Sequence, residues 1–425
     1  MPTRTVVTVF TLALLGTPSV ARATEYQGPT VIHDVRVFDG TRTHEHRTVV
    51  VDSGRITAIG GVSLPIPRNA RVVAGSGATL LPGLIDAHVH VSSAAPLAAL
   101  RQSLWFGVTT VIDMFAEPTT LNVLNAARLA DAADVASVVS AGVGATIAGG
   151  HPTQMGIPIP TISRADSAEA FVDARRAEGS RFLKVFYDDG SSYASLPGRI
   201  PRLPLETMKA LVATAHRRGL LVVAHIGSEA EARDAIDAGV DGLAHTFVGG
   251  SVGPDFGRLT ASRGVFVIPT LATRYWWCGR SLAPVLLGDT SWLRHVSAEF
   301  VYALRIPAPD SAHASSCRGT DDGIRLLARA HATIVAGTDA PSPGLAYGAS
   351  LHHELELLVG AGLTPMEALT AATSAAARAF RLDDRGEVSV GKRADLVLVR
   401  GDPTANIRAT RDIVAVWKRG ERIDR

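Results

Sequence analysis

Eight short apolar runs, many of them separated by Ala-rich amphipathic stretches, limit what this 425-residue chain can become. They are LLPGLIDAHVHV (80–91), TTVIDMF (109–115), SVVSAGVGATI (137–147), RFLKVFYDD (181–189), LLVVAHIG (220–227), DGLAHTFVG (241–249), VFVIPTLAT (265–273) and ATIVAGTDA (332–340). Segments such as LETMKALVATAHRRG (205–219) and EAEARDAIDAG (229–239) lie between them and carry apolar residues at helical spacing. Nearly continuous apolar strands covered by helices are what a parallel α/β sheet requires. Eight such units predict a closed (β/α)8 TIM barrel. A doubly wound open sheet is the runner-up, and no Gly-x-Gly-x-x-Gly follows the first strand to support its dinucleotide-binding version.

The ends of the chain read differently. TVIHDVRVFDG, HRTVVVDSGRITAIGG and RVVAGSGATLLPG alternate in polarity and turn at Asp-Gly and Ser-Gly, as hairpins do. RADLVLVRGDP and DIVAVWKRGERI return to that style near the C-terminus. Neither portion has enough strands to bury a face alone. A small β-sandwich domain assembled from residues 24–80 and 381–425, flanking a barrel over 81–380, is therefore expected.

Before it, Arg4, the apolar VVTVFTLALL and Ala21-Arg22-Ala23 have the layout of a signal peptide, residues 1–23, cleaved near Ala23. The run is too short to span a bilayer. Export to the periplasm or the medium is the expectation, and there Cys278 and Cys317 would be free to pair. Both cysteines, with Trp276, Trp277 and Trp292, sit in the long connection between the seventh and eighth runs. An insertion after a barrel strand is expected to cover the active face. A net charge of +2 without a charge block gives no reason to invoke nucleic acid or a membrane surface. A small-molecule substrate is the expected partner, and a homo-oligomer is compatible with the sequence.

The chemistry stands at the ends of the runs. Side chains alternate along a strand, so His88 and His90 share a face. Lys184 lies in the fourth run, His225 and His245 close the fifth and sixth, and Asp339 closes the eighth. All C-terminal strand ends of a parallel barrel meet on one face, so these six potential ligands converge. His216, His352 and His353 read instead as helix surface. Lys184 is one of four lysines against 38 arginines and sits in apolar RFLKVFY. Burial disfavours its ammonium form. A neutral amine can add carbon dioxide to give a carbamate whose two oxygens bridge two cations. The plainer alternative is an ion pair with Asp86, Asp188 or Asp189.

Taken in order, PGLIDAHVH, FLKVF, VVAH, GLAH, AGTDA and the tail GEVSVGKRADLVLVRGDP resemble the amidohydrolase superfamily over nearly the whole chain. GGHPT and HHELELLVGAGLTPMEALTAATSAAA most resemble its imidazolonepropionase-like branch, which includes dipeptidases and amidases. The resemblance implies a distorted (β/α)8 TIM barrel and two divalent metal ions, Zn2+ by preference. His88, His90 and Asp339 would hold one, His225 and His245 the other, and carbamylated Lys184 would bridge them. It implies hydrolysis of an amide or dipeptide-like C–N bond by metal-activated hydroxide, with Asp339 as general base and then acid. Lactone or phosphotriester hydrolysis on the same centre is an alternative, as is a non-catalytic barrel scaffold. His151, Tyr187 and Arg274 are candidate substrate contacts, Arg274 through paired donors that suit a carboxylate.

Overall fold

The computed structural model describes residues 28–194 and 198–425. The expected signal peptide lies outside them. The strands are β1 (Thr30–Phe38), β2 (Thr43–Asp52), β3 (Arg55–Gly61), β4 (Arg71–Ala74) and β5 (Ala78–Pro82), then β6 (Leu84–Val89), β7 (Val108–Asp113) and β8 (Ser137–Ser140). They continue as β9 (Leu183–Phe186), β10 (Val222–His225), β11 (Gly242–Ala244), β12 (Phe266–Ile268), β13 (Leu396–Arg400), β14 (Ile413–Lys418) and β15 (Glu421–Arg422). None of the described helices is long and apolar enough to cross a membrane.

The two ends of the chain do share a sheet. Its order is β15-β14-β13-β5-β1-β2-β3, with β4 also paired to β1, and hydrogen bonding runs through all eight strands. β13 lies antiparallel to β5, Leu396 opposite Pro82 and Arg400 opposite Ala78. Alternate residues of these strands, among them Ile32, Val35, Val37, Leu80, Leu396, Leu398 and Trp417, form one apolar cluster. That is the period-two burial the hairpin pattern predicts.

The central strands form two parallel sheets, β6-β7-β8 and β9-β10-β11-β12. Single parallel bridges connect the pieces: Ala145 to Val185, Val267 to Ile334, and Ala340 to Val89. The molecule is thus a mixed α/β fold with two parallel sheets joined by single bridges, not one continuous eight-stranded ladder. The eighth apolar run forms bridges but no strand of its own. Its backbone leaves extended geometry at Asp339, where φ is +70°. At Gly337 it runs so close to β6 that a Cβ would lie 2.7 Å from the His88 amide nitrogen.

Two further expectations change. His352 and His353, expected on a helix surface, are buried, while His216 is exposed. The helix Ala349–Gly360 carries them and is buried on most sides, with His352 Nε2 2.9 Å from the Phe106 carbonyl. Cys278 and Cys317 are free thiols in contact with each other. The connection that bears them opens with the helix Leu271–Trp277, and that helix reaches the cavity described next.

Candidate metal centre

At the C-terminal ends of β6 and β10–β11 the alternation of side chains turns polar groups inward. His88 Nε2 and His90 Nε2 lie 3.3 Å apart, and each is 3.1 Å from the same oxygen, Asp339 Oδ1. Beside them, His225 Nδ1 is 3.0 Å from His245 Nε2. The His88 and His245 rings are 4.7 Å apart, so the two groups adjoin. Lys184 is fully buried, and its Nζ has no hydrogen-bond partner among the described residues. The ion pair weighed for it with Asp86, Asp188 or Asp189 is not formed: Asp86 accepts from Thr338 and Asp188 faces His225.

The electrostatics follow from burial. Desolvation holds His88 and His245 well below the ordinary histidine range, helped by Lys184 and Arg274 respectively. It also lowers His225, against the pull of Asp188. Burial pushes the Lys184 ammonium down to about 7, opposed by Asp339 and Asp113. Burial works against ionised Asp339, but His88 and His90 outweigh it and hold the carboxyl well below the usual range. Neutral imidazoles and a carboxylate, with lone pairs aimed at common points, are the donor set of a divalent cation. The orphaned Nζ among them is a buried polar group that needs a reason. The residues fit metal.

Outer contacts orient the ring nitrogens. Asp188 Oδ2 lies 3.2 Å from His225 Nε2, and Thr270 Oγ1 lies 2.7 Å from His245 Nδ1. Such partners fix which nitrogen faces a metal. His245, Thr270 and Asp339 all have positive φ (+84°, +47° and +70°). Left-handed geometry costs non-glycine residues on the order of 1–3 kcal/mol each and concentrates at functional sites.

A cavity of about 560 Å³ opens over the centre, lined by His90, His151, His225, Asp339 and Arg274 and by apolar walls including Phe115, Met155, Phe186 and Trp277. His151 stacks on His225 with ring centres 4.8 Å apart. Tyr187 must be corrected as a substrate contact. It is an odd number of residues from Lys184, so it points with Leu183 and Val185 into the apolar core. Its hydroxyl donates to Asp234 at 2.9 Å. The same parity brings Asp188 to the site with Lys184 and Phe186, a signal the sequence contained. Thr270 and Tyr193 carried no such signal. A second acidic group, Asp188, Asp189 and Glu231, is committed to His225 and to backbone N–H groups.

A sequence profile of the amidohydrolase family matches residues 79–423. The chain belongs to the amidohydrolase family. An imidazolonepropionase of Streptomyces griseus is 35% identical over 112 residues, covering 25% of this chain and 28% of that protein. An enamidase of Eubacterium barkeri is 42% identical over 72 residues, covering 15% and 19%. The matched stretch thus spans little more than a quarter of the imidazolonepropionase. Among solved structures, a Xaa-Pro dipeptidase with bound methionine in its active site superposes with a TM-score of 0.76 at 22% identity, covering 94% of this chain and all of that one. The ochratoxinase of A. niger superposes at 0.72 and 20% identity, covering 93% and 95%. At such identities the likeness establishes a shared amidohydrolase fold.

Proposed function

We propose that this chain is a metal-dependent amidohydrolase that cleaves an amide or dipeptide-like C–N bond on a closed (β/α)8 barrel. The observation that carries the reading is the double convergence of donor atoms, His88, His90 and Asp339 beside His225 and His245. The three single bridges between the parallel sheets support closure of the barrel. The leader-like residues 1–23 add export to the reading, which sequencing the N-terminus of secreted protein tests.

His88 Nε2, His90 Nε2 and Asp339 Oδ1 would hold one divalent cation, Zn2+ by the chemistry of the donors. His225 Nδ1 and His245 Nε2 would hold a second. When bound, such cations polarise a carbonyl and make water acidic near neutral pH. Lys184 completes the donor set as a carbamate: its amine lone pair forms an N–C bond to carbon dioxide and one N–H proton passes to water. Asp339 takes the proton of the attacking water on its carboxylate and delivers it to the departing nitrogen. His151, held below the ordinary histidine range by burial and by His225, donates one ring N–H to the substrate carbonyl. The apolar walls exclude bulk water and strengthen each of these contacts.

The experiment is a panel of N-acyl amino acids, dipeptides, lactones and a phosphotriester, offered to metal-loaded protein of measured metal content. Turnover of the amide members alone is expected. Turnover of the lactone or phosphotriester members alone would reassign the reaction, and stoichiometric metal without any turnover would remove it.

A further inference from the structure

Among the described residues only two arginines are buried, Arg175 (3% exposed) and Arg274 (2%). Arg175 pairs its charge with Glu178 through two hydrogen bonds. Arg274 has no carboxylate partner among the described residues. Among the described residues its side chain makes one hydrogen bond, Nη1 donating to the neutral Tyr193 hydroxyl at 2.6 Å, and its buried Nε has no partner. A guanidinium stays charged; Asp339 and Asp188 favour that charge without forming an ion pair with it, and buried N–H donors left without an acceptor are costly. This one lines the cavity over the metal centre. It is also held rigidly, because Glu354 accepts the Leu271 and Ala272 N–H groups (2.7 and 2.9 Å) and so pins the start of the helix that carries Arg274.

We infer that the substrate is an amide bearing a carboxylate, which Arg274 receives on its open N–H donors while an apolar group lies against Phe186 and Trp277. The hydrogen-bonded anion arrives with the ligand. Guanidinium and carboxylate match in two parallel hydrogen bonds, so the contact orients the substrate as well as attracting it. Phe115, Met155 and Ile157 extend the apolar wall and favour a hydrophobic body. The inference rests on the amidohydrolase reading for the bond that breaks, and on Arg274 alone for the anion.

The discriminating pair is N-acetylphenylalanine and N-acetyl-2-phenylethylamine, which share the scissile amide and the ring and differ in the carboxylate. Metal-loaded wild type is expected to favour the acid by on the order of 100-fold in kcat/KM, since a buried polar site rejects an analogue that leaves it unpaired. Arg274→Met should raise KM for the acid more than it lowers kcat, and bring the two substrates within about threefold of each other. Equal kcat/KM for the pair in wild type overturns the inference. So does an Arg274→Met variant that slows both substrates alike, because the guanidinium then serves the centre's internal charge. A calorimetric titration with N-tosylphenylalanine and N-tosyl-2-phenylethylamine, which lack a cleavable carboxamide, reads the anion site without turnover. The acid should bind at least about tenfold tighter to wild type and lose that margin in Arg274→Met and most of it in Arg274→Lys. If neither acetyl amide is cleaved while the tosyl pair still separates, C–N hydrolysis fails and the anion site stands. If the tosyl pair binds equally, the anion site fails whatever the turnover.

Discussion

Thr270 Oγ1 and His245 Nδ1 are 2.7 Å apart, a contact that leaves Nε2 as the ring atom of His245 that faces His225. With Nδ1–H donating to the hydroxyl, Nε2 presents its lone pair toward His225. Thr270→Val keeps the shape and removes the acceptor. Metal affinity should fall by about 10–100-fold, measured by competition with a chromogenic chelator. Unchanged affinity would leave His245 without a need for its orienter.

Asp339 meets both His88 and His90 and, in the proposed reaction, carries the proton. Asp339→Asn should lower kcat by on the order of 10³ or more, because both the charge at the metal and the base are lost. Its far-ultraviolet circular dichroism should match wild type. Chelation should silence wild type too, and added Zn2+ should restore it; recovery without metal would contradict the centre.

Gly337 is packed where a methyl group has no room, 2.6 Å from Ile268 Cγ2 and 2.7 Å from the His88 nitrogen. One of those neighbours is backbone and cannot rotate away. Gly337→Ala should cost roughly 1–3 kcal/mol in denaturant unfolding. It should also reduce bound metal, since it pushes β6 from the segment that carries Asp339. Loss of stability with full metal content would separate packing from the site.

Far from the centre, burial lowers the His352 pKa to about 3, and His353 beside it to about 4. An unfolded chain takes up protons on these imidazoles below about pH 6.5, whereas the native one does not until pH 3–4. The unfolded state therefore binds more protons in that window, and stability falls as pH drops from 6.5 toward 4. Each group adds a slope of up to about 1.4 kcal/mol per pH unit. His352→Gln should flatten the stability–pH curve by about one such increment, read from urea unfolding across the window. An unaltered slope would mean that His352 is protonated in the native protein.

The inner histidines were legible because a strand repeats every two residues: once His88 was placed inward, His90 had to follow. The same rule, applied to Lys184, would have rejected Tyr187 and chosen Asp188. Two other misreadings had different causes. His352 and His353 looked like surface because their helix mixes charge with apolar residues, and what covers it (Phe106, Trp292 and Thr410) is distant in the chain. The eighth run has the composition of a strand, yet Gly337 and the turn at Asp339 spend its extended geometry on bringing one carboxylate to the site. Thr270 and Glu354 were invisible for a simpler reason. Their partners are distant in the chain, and an isolated Thr or Glu has no periodicity to betray it.

The pairing of β5 with β13 orders events during synthesis. β5 runs through Gly83 directly into the strand that carries His88, and its neighbour β13 follows every candidate ligand in the chain, Asp339 included. The β13 edge of β5 therefore stays open until all the candidate ligands have been made, so metal capture should be a late step of maturation and not a seed for folding.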